Sequence, residues 1–329
     1  MNKIKQFIKD TYKIVIIYIM LFLVLIIPLP YNIYTPGGLI NINDKVKIDK
    51  EYKSKGSLNL SYVSEYEGKV LTYLIGLVNK NWDIVKKKKN ISTKDYDYLD
   101  RLKMEEAYNN ATIVAYQKAH KKVSIKDTKV YVEYIFKESK TDLQIGDQIT
   151  YINNIKVNSS KELNKVISNL KENDNIKIKV LRNNQKSTRK ATIIKYHNKP
   201  IIGIGIFELN DIETKPSIKY SYSNNEYGPS GGLMLALSIY NRLTKKDITH
   251  GKTIVGTGTI DINGNVGAID GVKYKIKGAA KKKIDLFIVP KDNLKEALKV
   301  KKKNNYHMKI VGVETFDESL TYLQNNLDK

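Results

Sequence analysis

The first strong hydrophobic feature lies close to the start of the chain, where Ile14 to Leu29 form an almost unbroken apolar run behind Lys3, Lys5, Lys9 and Lys13. A basic flank followed by such a run predicts a membrane anchor over residues 1–30. It is slightly short for a hydrocarbon core of about 30 Å, with Tyr12 and Tyr31 placed to extend it at the interfaces. Ile27-Pro28-Leu29-Pro30 offers no small-x-small cleavage site, so the anchor is expected to stay uncleaved. The preceding lysines would remain cytoplasmic, which places everything after Leu29 outside the cell. No second apolar stretch of spanning length follows.

From Tyr31 to Asn79 the pattern reads as strand, with Leu58, Leu60 and Tyr62 in alternation, Val70 to Val78 as a more apolar stretch, and a turn at Pro36-Gly37-Gly38. Between Tyr96 and Val123, residues Leu99, Leu102, Ala107, Ala111, Val114, Ala115 and Ala119 recur at helical spacing. Residues 31–122 are therefore read as a β-rich and helical segment packing on a catalytic domain.

Residues 123–197 carry a recognisable order: strand Val130 to Phe136, the segment Leu143-Gln144-Ile145-Gly146-Asp147-Gln148-Ile149, strand Thr150 to Ile152, a turn at Asn153-Asn154, a helix from Ser160 to Leu170 and strand Ile176 to Leu181. Gly146-Asp147 alone reads as a tight turn. The whole order resembles a PDZ domain, which implies a small β-sandwich with one helix that binds an extended peptide by strand addition. The glycine-containing carboxylate-binding loop of that family is replaced by Lys126-Asp127-Thr128-Lys129, which argues against capture of a free C-terminus.

Composition narrows the chemistry. Lys plus Arg number 57 against 34 Asp plus Glu, a net charge of +23. Lys, Asn, Ile and Tyr are abundant throughout, so the charge reads as a whole-chain bias and not as a nucleic-acid patch; the run Lys86 to Lys89 reads as a solvated loop. The absence of cysteine excludes disulfides, thiolate metal sites and a cysteine nucleophile. His120, His197, His250 and His307 have no metal-ligand spacing, so no metal or other cofactor is expected.

Residues 198–329 alternate strand and helix patterns. Gly228-Pro229-Ser230-Gly231-Gly232 precedes an apolar helix from Leu233 to Leu243, which sets Ser230 at a helix N-terminus. Unpaired N–H groups there suit a developing oxyanion, and serine also suits a plain capping role; the pentapeptide leaves both open. Downstream come Gly256-Thr257-Gly258-Thr259-Ile260, a hairpin turn at Asn263-Gly264, and Ile269-Asp270-Gly271-Val272-Lys273-Tyr274-Lys275 opening another helix. The series Gly-Pro-Ser-small-Gly, Thr-Gly-x-Ile and Gly-hydrophobic-Lys, continued by Ala279-Ala280 and Leu286-Phe287-Ile288-Val289-Pro290, resembles the proteolytic domain of Lon peptidases. With the anchor and the PDZ-like domain ahead of it, the chain resembles the membrane-anchored PDZ-Lon peptidases of Gram-positive bacteria.

That resemblance implies an α+β protein with an N-terminal transmembrane helix, a PDZ-like β-sandwich and a Lon-type proteolytic domain. It further implies a serine endopeptidase with Ser230 as nucleophile, Lys273 as its base, Thr257 holding the lysine amine, and backbone at Gly228 and Gly231 shaping the oxyanion site. Asp270 stands where glycine is frequent and would raise the pKa of the base. The expected partners are a peptide or protein substrate and the membrane, without nucleic acid, and Lon-type domains allow a homo-oligomer. Gly251-Lys252-Thr253 imitates the end of a phosphate-binding loop, but its first glycine would fall on Lys246, so the activity is expected to be ATP-independent. Two rivals remain open. One is an α/β-hydrolase using Ser230, Asp285 and His307; the other is a tethered binding protein with an inactive protease-like domain.

Overall fold

The computed structural model describes residues 2–87, 93–221 and 228–326. Helix α1 (Asn2–Leu25) leads into strand β1 (Pro28–Asn41), followed by β2 (Val46–Ile48), β3 (Ser57–Lys69), helix α2 (Val70–Val78), β4 (Asp83–Lys86) and the long helix α3 (Thr93–Lys118). Next come β5 (Lys122–Ile135), β6 (Lys140–Thr141), β7 (Gln148–Ile152), β8 (Ile155–Lys156), α4 (Ser160–Ser168), β9 (Asn175–Arg182), β10 (Gln185–Thr192), β11 (Ile194–Tyr196), β12 (Lys199–Ile201) and β13 (Ile204–Lys215). The chain closes with β14 (Ile218–Tyr220), α5 (Gly232–Leu243), β15 (Thr253–Gly256), β16 (Thr259–Ile260), β17 (Val266–Gly267), α6 (Val272–Ala279), β18 (Leu286–Pro290), α7 (Lys291–Lys303), β19 (Lys309–Val313) and α8 (Phe316–Asn326).

Two large sheets organise these elements. The first is six-stranded, in the order β19-β18-β15-β3-β1-β4, so strands from before and after the middle of the chain share one sheet. Its seam is the parallel pairing of β15 with β3, Thr253 to Gly256 against Ser57 to Leu60. β18 is buried along its whole length, as expected of a parallel strand covered on both faces. The second sheet is seven-stranded, ordered β13-β5-β7-β9-β10-β6 with β8 paired to β7 off that path, and α4 packs on its core of Val130, Val132, Ile149, Ile152, Ile176 and Ile178.

Helix α3 bridges the two. Its first half lays Leu99 and Leu102 against Tyr131, Phe207 and Leu209 of the second sheet, while Ala111, Val114, Ala115 and Tyr116 join the core around α5. The buried Asp147 fixes the turn before β7. It accepts the Gln144 N–H at 2.8 Å and pairs with Arg182 at 2.9 Å and Arg189 at 3.4 Å. Gly146 beside it has φ +83, and a Cβ there would stand 2.6 Å from the Tyr98 ring on α3, so the turn requires glycine on both counts.

Several expectations are corrected. Val70 to Val78, read with the strands, is helix α2: its apolar residues fall at helical spacing and Gly76 lies against Ile84 of β4. The second sheet runs on to Lys215 through β13, so the boundary expected at residue 197 moves beyond it. The Lys126–Lys129 segment is not a loop but lies within β5, where Asp127 to Lys129 pair with β13 and Lys126 stands at a register shift. The basic run ends in Lys88 and Lys89, outside the described residues.

At the N-terminus, Pro28 to Pro30 belong to β1 and not to the anchor. The apolar part of α1, Ile14 to Leu25, therefore covers about 18 Å at ~1.5 Å per residue, short of a ~30 Å hydrocarbon core. Among the described residues no helix is long and apolar enough to cross a membrane.

Candidate active site

Ser230 lies in a single 3-10 turn, Pro229–Gly231, that passes directly into α5. Gly228 ahead of it takes φ +92, a conformation that side chains disfavour and that turns the chain into Pro229. Two donors from the link between β15 and β16 clamp the Ser230 backbone: the Gly258 N–H reaches the Ser230 carbonyl at 2.8 Å and the Thr257 hydroxyl reaches it at 3.0 Å. Leu233 N–H in turn donates to Gly258 O at 3.1 Å. The serine is thereby held at the carboxyl end of β15, where the sheet and the start of a helix meet, a common place for a site in parallel α/β sheets.

The Thr257 hydroxyl has a second partner, and it is not the lysine expected. Lys275 Nζ donates to Thr257 Oγ1 at 2.9 Å, so one buried threonine links the Lys275 amine to the Ser230 backbone. Lys273 instead pairs with Asp83, lies over the Tyr274 ring and is 42% exposed in its side chain. The reason is helical phase. Val272, Ile276 and Ala279 form the buried stripe of α6, and Lys275 falls within that stripe while Lys273 falls outside it.

Lys275 is 3% exposed. Its helix packs on β1 and β3, and Gly278 lets it approach so closely that a Cβ there would stand 2.9 Å from the Gly37 carbonyl oxygen. Ser61 of β3, missed in the sequence, is fully buried and donates its hydroxyl to the Lys275 carbonyl at 2.9 Å, fixing the backbone that carries the amine. Burial pulls the Lys275 pKa down from 10.5 to about 8, with Asp270 pushing weakly the other way. The carboxylate expected to disturb the base thus loses to desolvation, the larger of the two effects on the Lys275 amine. Thr257→Val removes the hydroxyl and keeps the volume; we expect a fall in kcat of roughly tenfold to hundredfold with KM little changed, measured on a flexible peptide.

The other candidates separate from this point. Asp285 receives the Thr253 N–H at 2.8 Å, at the start of β15 and β18, while Ser230 sits at their carboxyl ends. His307 precedes β19, which runs parallel to β18, and so also lies at the starting edge. The Ser-Asp-His alternative therefore has its members at opposite ends of the sheet. Residues Tyr222 to Tyr227 of the loop before Ser230 lie outside the described residues. Among the described residues no group of His, Asp and Glu is arranged to hold a metal ion.

Two regions of the chain match known families. Residues 223–325 match the Lon protease (S16) C-terminal proteolytic domain, and residues 104–193 match the PDZ domain. Lon protease 2 of Herpetosiphon aurantiacus is 33% identical over 104 residues, 31% of this chain and 12% of that protein. The Lon protease of Metamycoplasma arthritidis is 35% identical over 96 residues, 29% of this chain and 11% of that protein. The chain thus spans about an eighth or less of the length of these curated relatives. The PDZ domain of the SdrC-like protein from Listeria innocua is 29% identical, covering 24% of this chain and 92% of that one with a TM-score of 0.23. By these matches residues 223–325 are similar to the Lon-type proteolytic domain and residues 104–193 to a PDZ domain, the two regions lying in one polypeptide.

Proposed function

We propose that the chain is an ATP-independent, membrane-attached endopeptidase in which Ser230 is the nucleophile and Lys275 the base. The observation that carries this reading is the hydrogen-bond path from the buried Lys275 amine through Thr257 to the Ser230 backbone. Neutral Lys275 takes the proton from the Ser230 hydroxyl as its oxygen adds to the scissile carbonyl. The N–H groups at Ser230 and Gly231 hold the oxyanion, and Pro229, having no N–H, cannot contribute. The protonated amine then gives its proton to the leaving nitrogen, the C–N bond breaks, and an acyl-serine remains. Water attacks that ester with Lys275 again accepting a proton, which regenerates the serine.

The base works only when neutral. With a folded pKa of about 8, kcat/KM is expected to rise with pH through that value and to level off above it, which a pH–rate profile on a peptide substrate would reveal. A profile flat from pH 6 to 10 would count against Lys275. Stability follows the same group. Because the folded pKa lies below the unfolded 10.5, the cost of burying the ammonium is fully present below pH 8 and is relieved as pH rises toward 10.5.

The PDZ domain supports recruitment of extended peptide segments, and the substrates we infer are exposed, flexible parts of secreted or membrane proteins or pro-peptides. The half-exposed apolar surface of α1 supports attachment to a bilayer, and its lysine flank supports a cytoplasmic N-terminus with the peptidase outside. Cleavage of a flexible peptide library by the purified chain, compared with Ser230→Ala, tests the assignment; equal turnover would leave the binding-protein reading ahead.

A further inference from the structure

We propose that α2 is a second membrane element, an interfacial helix that lays its apolar face into the bilayer beside α1 and holds the peptidase sheet against the lipid surface; this rests on the reading of α1 as a membrane attachment. The face is one stripe at helical spacing. Leu71, Leu74, Ile75 and Val78 recur at i, i+3, i+4 and i+7, and Leu74 is 51% exposed, Leu77 62% and Val78 81%. On the opposite side Gly76 lets the helix sit against Ile84 of β4, so the outward apolar side chains serve no core. A stripe of this kind needs a cover.

Its neighbours say which cover. Val70 N–H donates to Ile27 O at 3.1 Å, so the apolar end of α1 and the start of α2 meet, and a bilayer that receives the exposed side chains of α1 is continuous with the face of α2. Tyr31 and Tyr73 pair at 5.2 Å near that junction, and Trp82, the single tryptophan of the chain, follows the other end of the helix with its N–H on Asn79 O. Tyrosine and tryptophan at the rim, with exposed Lys69 and Lys80 at the two ends, form the belt of an anionic membrane interface. Of the nearby acids, Glu67 pairs with Lys87 at 2.7 Å and Asp83 pairs with Lys273. A soluble partner or a second copy would cover α2 without accounting for α1.

The arrangement also reaches the proposed base. Asp83 of β4 holds Lys273 and Tyr274, and Asn81 accepts from Lys277 at 2.9 Å, so the segment after α2 is bound to α6. The peptidase would thereby stand at the lipid surface and take segments that emerge beside it.

The single tryptophan makes this measurable. The full chain is reconstituted into vesicles of phosphatidylglycerol and phosphatidylcholine, with or without bromine on the acyl chains, and Trp82 emission is recorded. We expect brominated lipid to quench it roughly twofold or more, and Val78→Glu and Leu74→Glu, both outward-facing and folded by circular dichroism, to lose most of that quenching while the chain still floats with the vesicles. Wild-type chain that floats with unquenched Trp82, quenching that survives both substitutions, or a dimer that forms through α2 in place of lipid contact would overturn the proposal. Wild-type chain that fails to float would instead tell against the α1 attachment itself.

Discussion

Lys275→Ala is expected to lower cleavage of a flexible peptide by at least about 10³-fold, while Lys273→Ala stays within about threefold of the parent. The two lysines are two residues apart and face different surroundings. Lys275 is buried, with its amine on Thr257 and its backbone pinned by Ser61. Lys273 is solvated and paired with Asp83, so its removal costs at most a surface ion pair, about 0–1 kcal/mol. Lys275→Met sharpens the test, because it deletes the buried charge and keeps the volume. That variant should be inactive and yet more stable below pH 8 by roughly 2 kcal/mol, the approximate cost of desolvating the ammonium less one hydrogen bond. Denaturant titrations at pH 7 and pH 10 would show the gain shrinking at the higher pH. An active Lys275→Ala variant, or an inactive Lys273→Ala variant with intact folding, would end the assignment.

Asp147→Ala should destabilise the PDZ domain by about 3–5 kcal/mol, since it leaves Arg182 and Arg189 facing an empty, buried site. The carboxylate also accepts the Gln144 N–H, so the turn itself loses a bond. Asp147→Asn keeps the size and one acceptor and should cost less. Thermal unfolding of the full chain would show an early transition in the alanine variant that leaves the peptidase transition in place; a shift under about 1 kcal/mol would mean that the guanidinium groups find water or Asp95 instead.

Much of the PDZ body was legible because its signals are local. The alternation in β9 buries Ile176, Ile178 and Val180 on one side, and Ser159 caps α4 by accepting the Glu162 N–H, so period and cap agreed. The Ser230 loop was legible for the same reason: glycine, proline and an apolar helix stand in immediate succession. What depends on geometry across the chain was less legible. Nothing near Lys275 in the sequence announces that β1 and β3 will cover α6, and only the stripe Val272, Ile276 and Ala279 hints that Lys275 turns inward. Helix α2 misled in the opposite way. Its apolar residues have no core to enter, and so short an apolar run fits a buried strand as well as a helix.

The pairing of β5 with β13 begins at Lys122 and ends at Lys215, directly opposite each other. The inserted body therefore leaves and re-enters the parent fold at one point, and the six-stranded sheet experiences it as a tight hairpin. The entropy of closing so long an excursion is met by the insert's own strand pairing, and the host sheet has only a short gap to close. A peptide-binding module can sit in the middle of a peptidase because, to its host, it has almost no length.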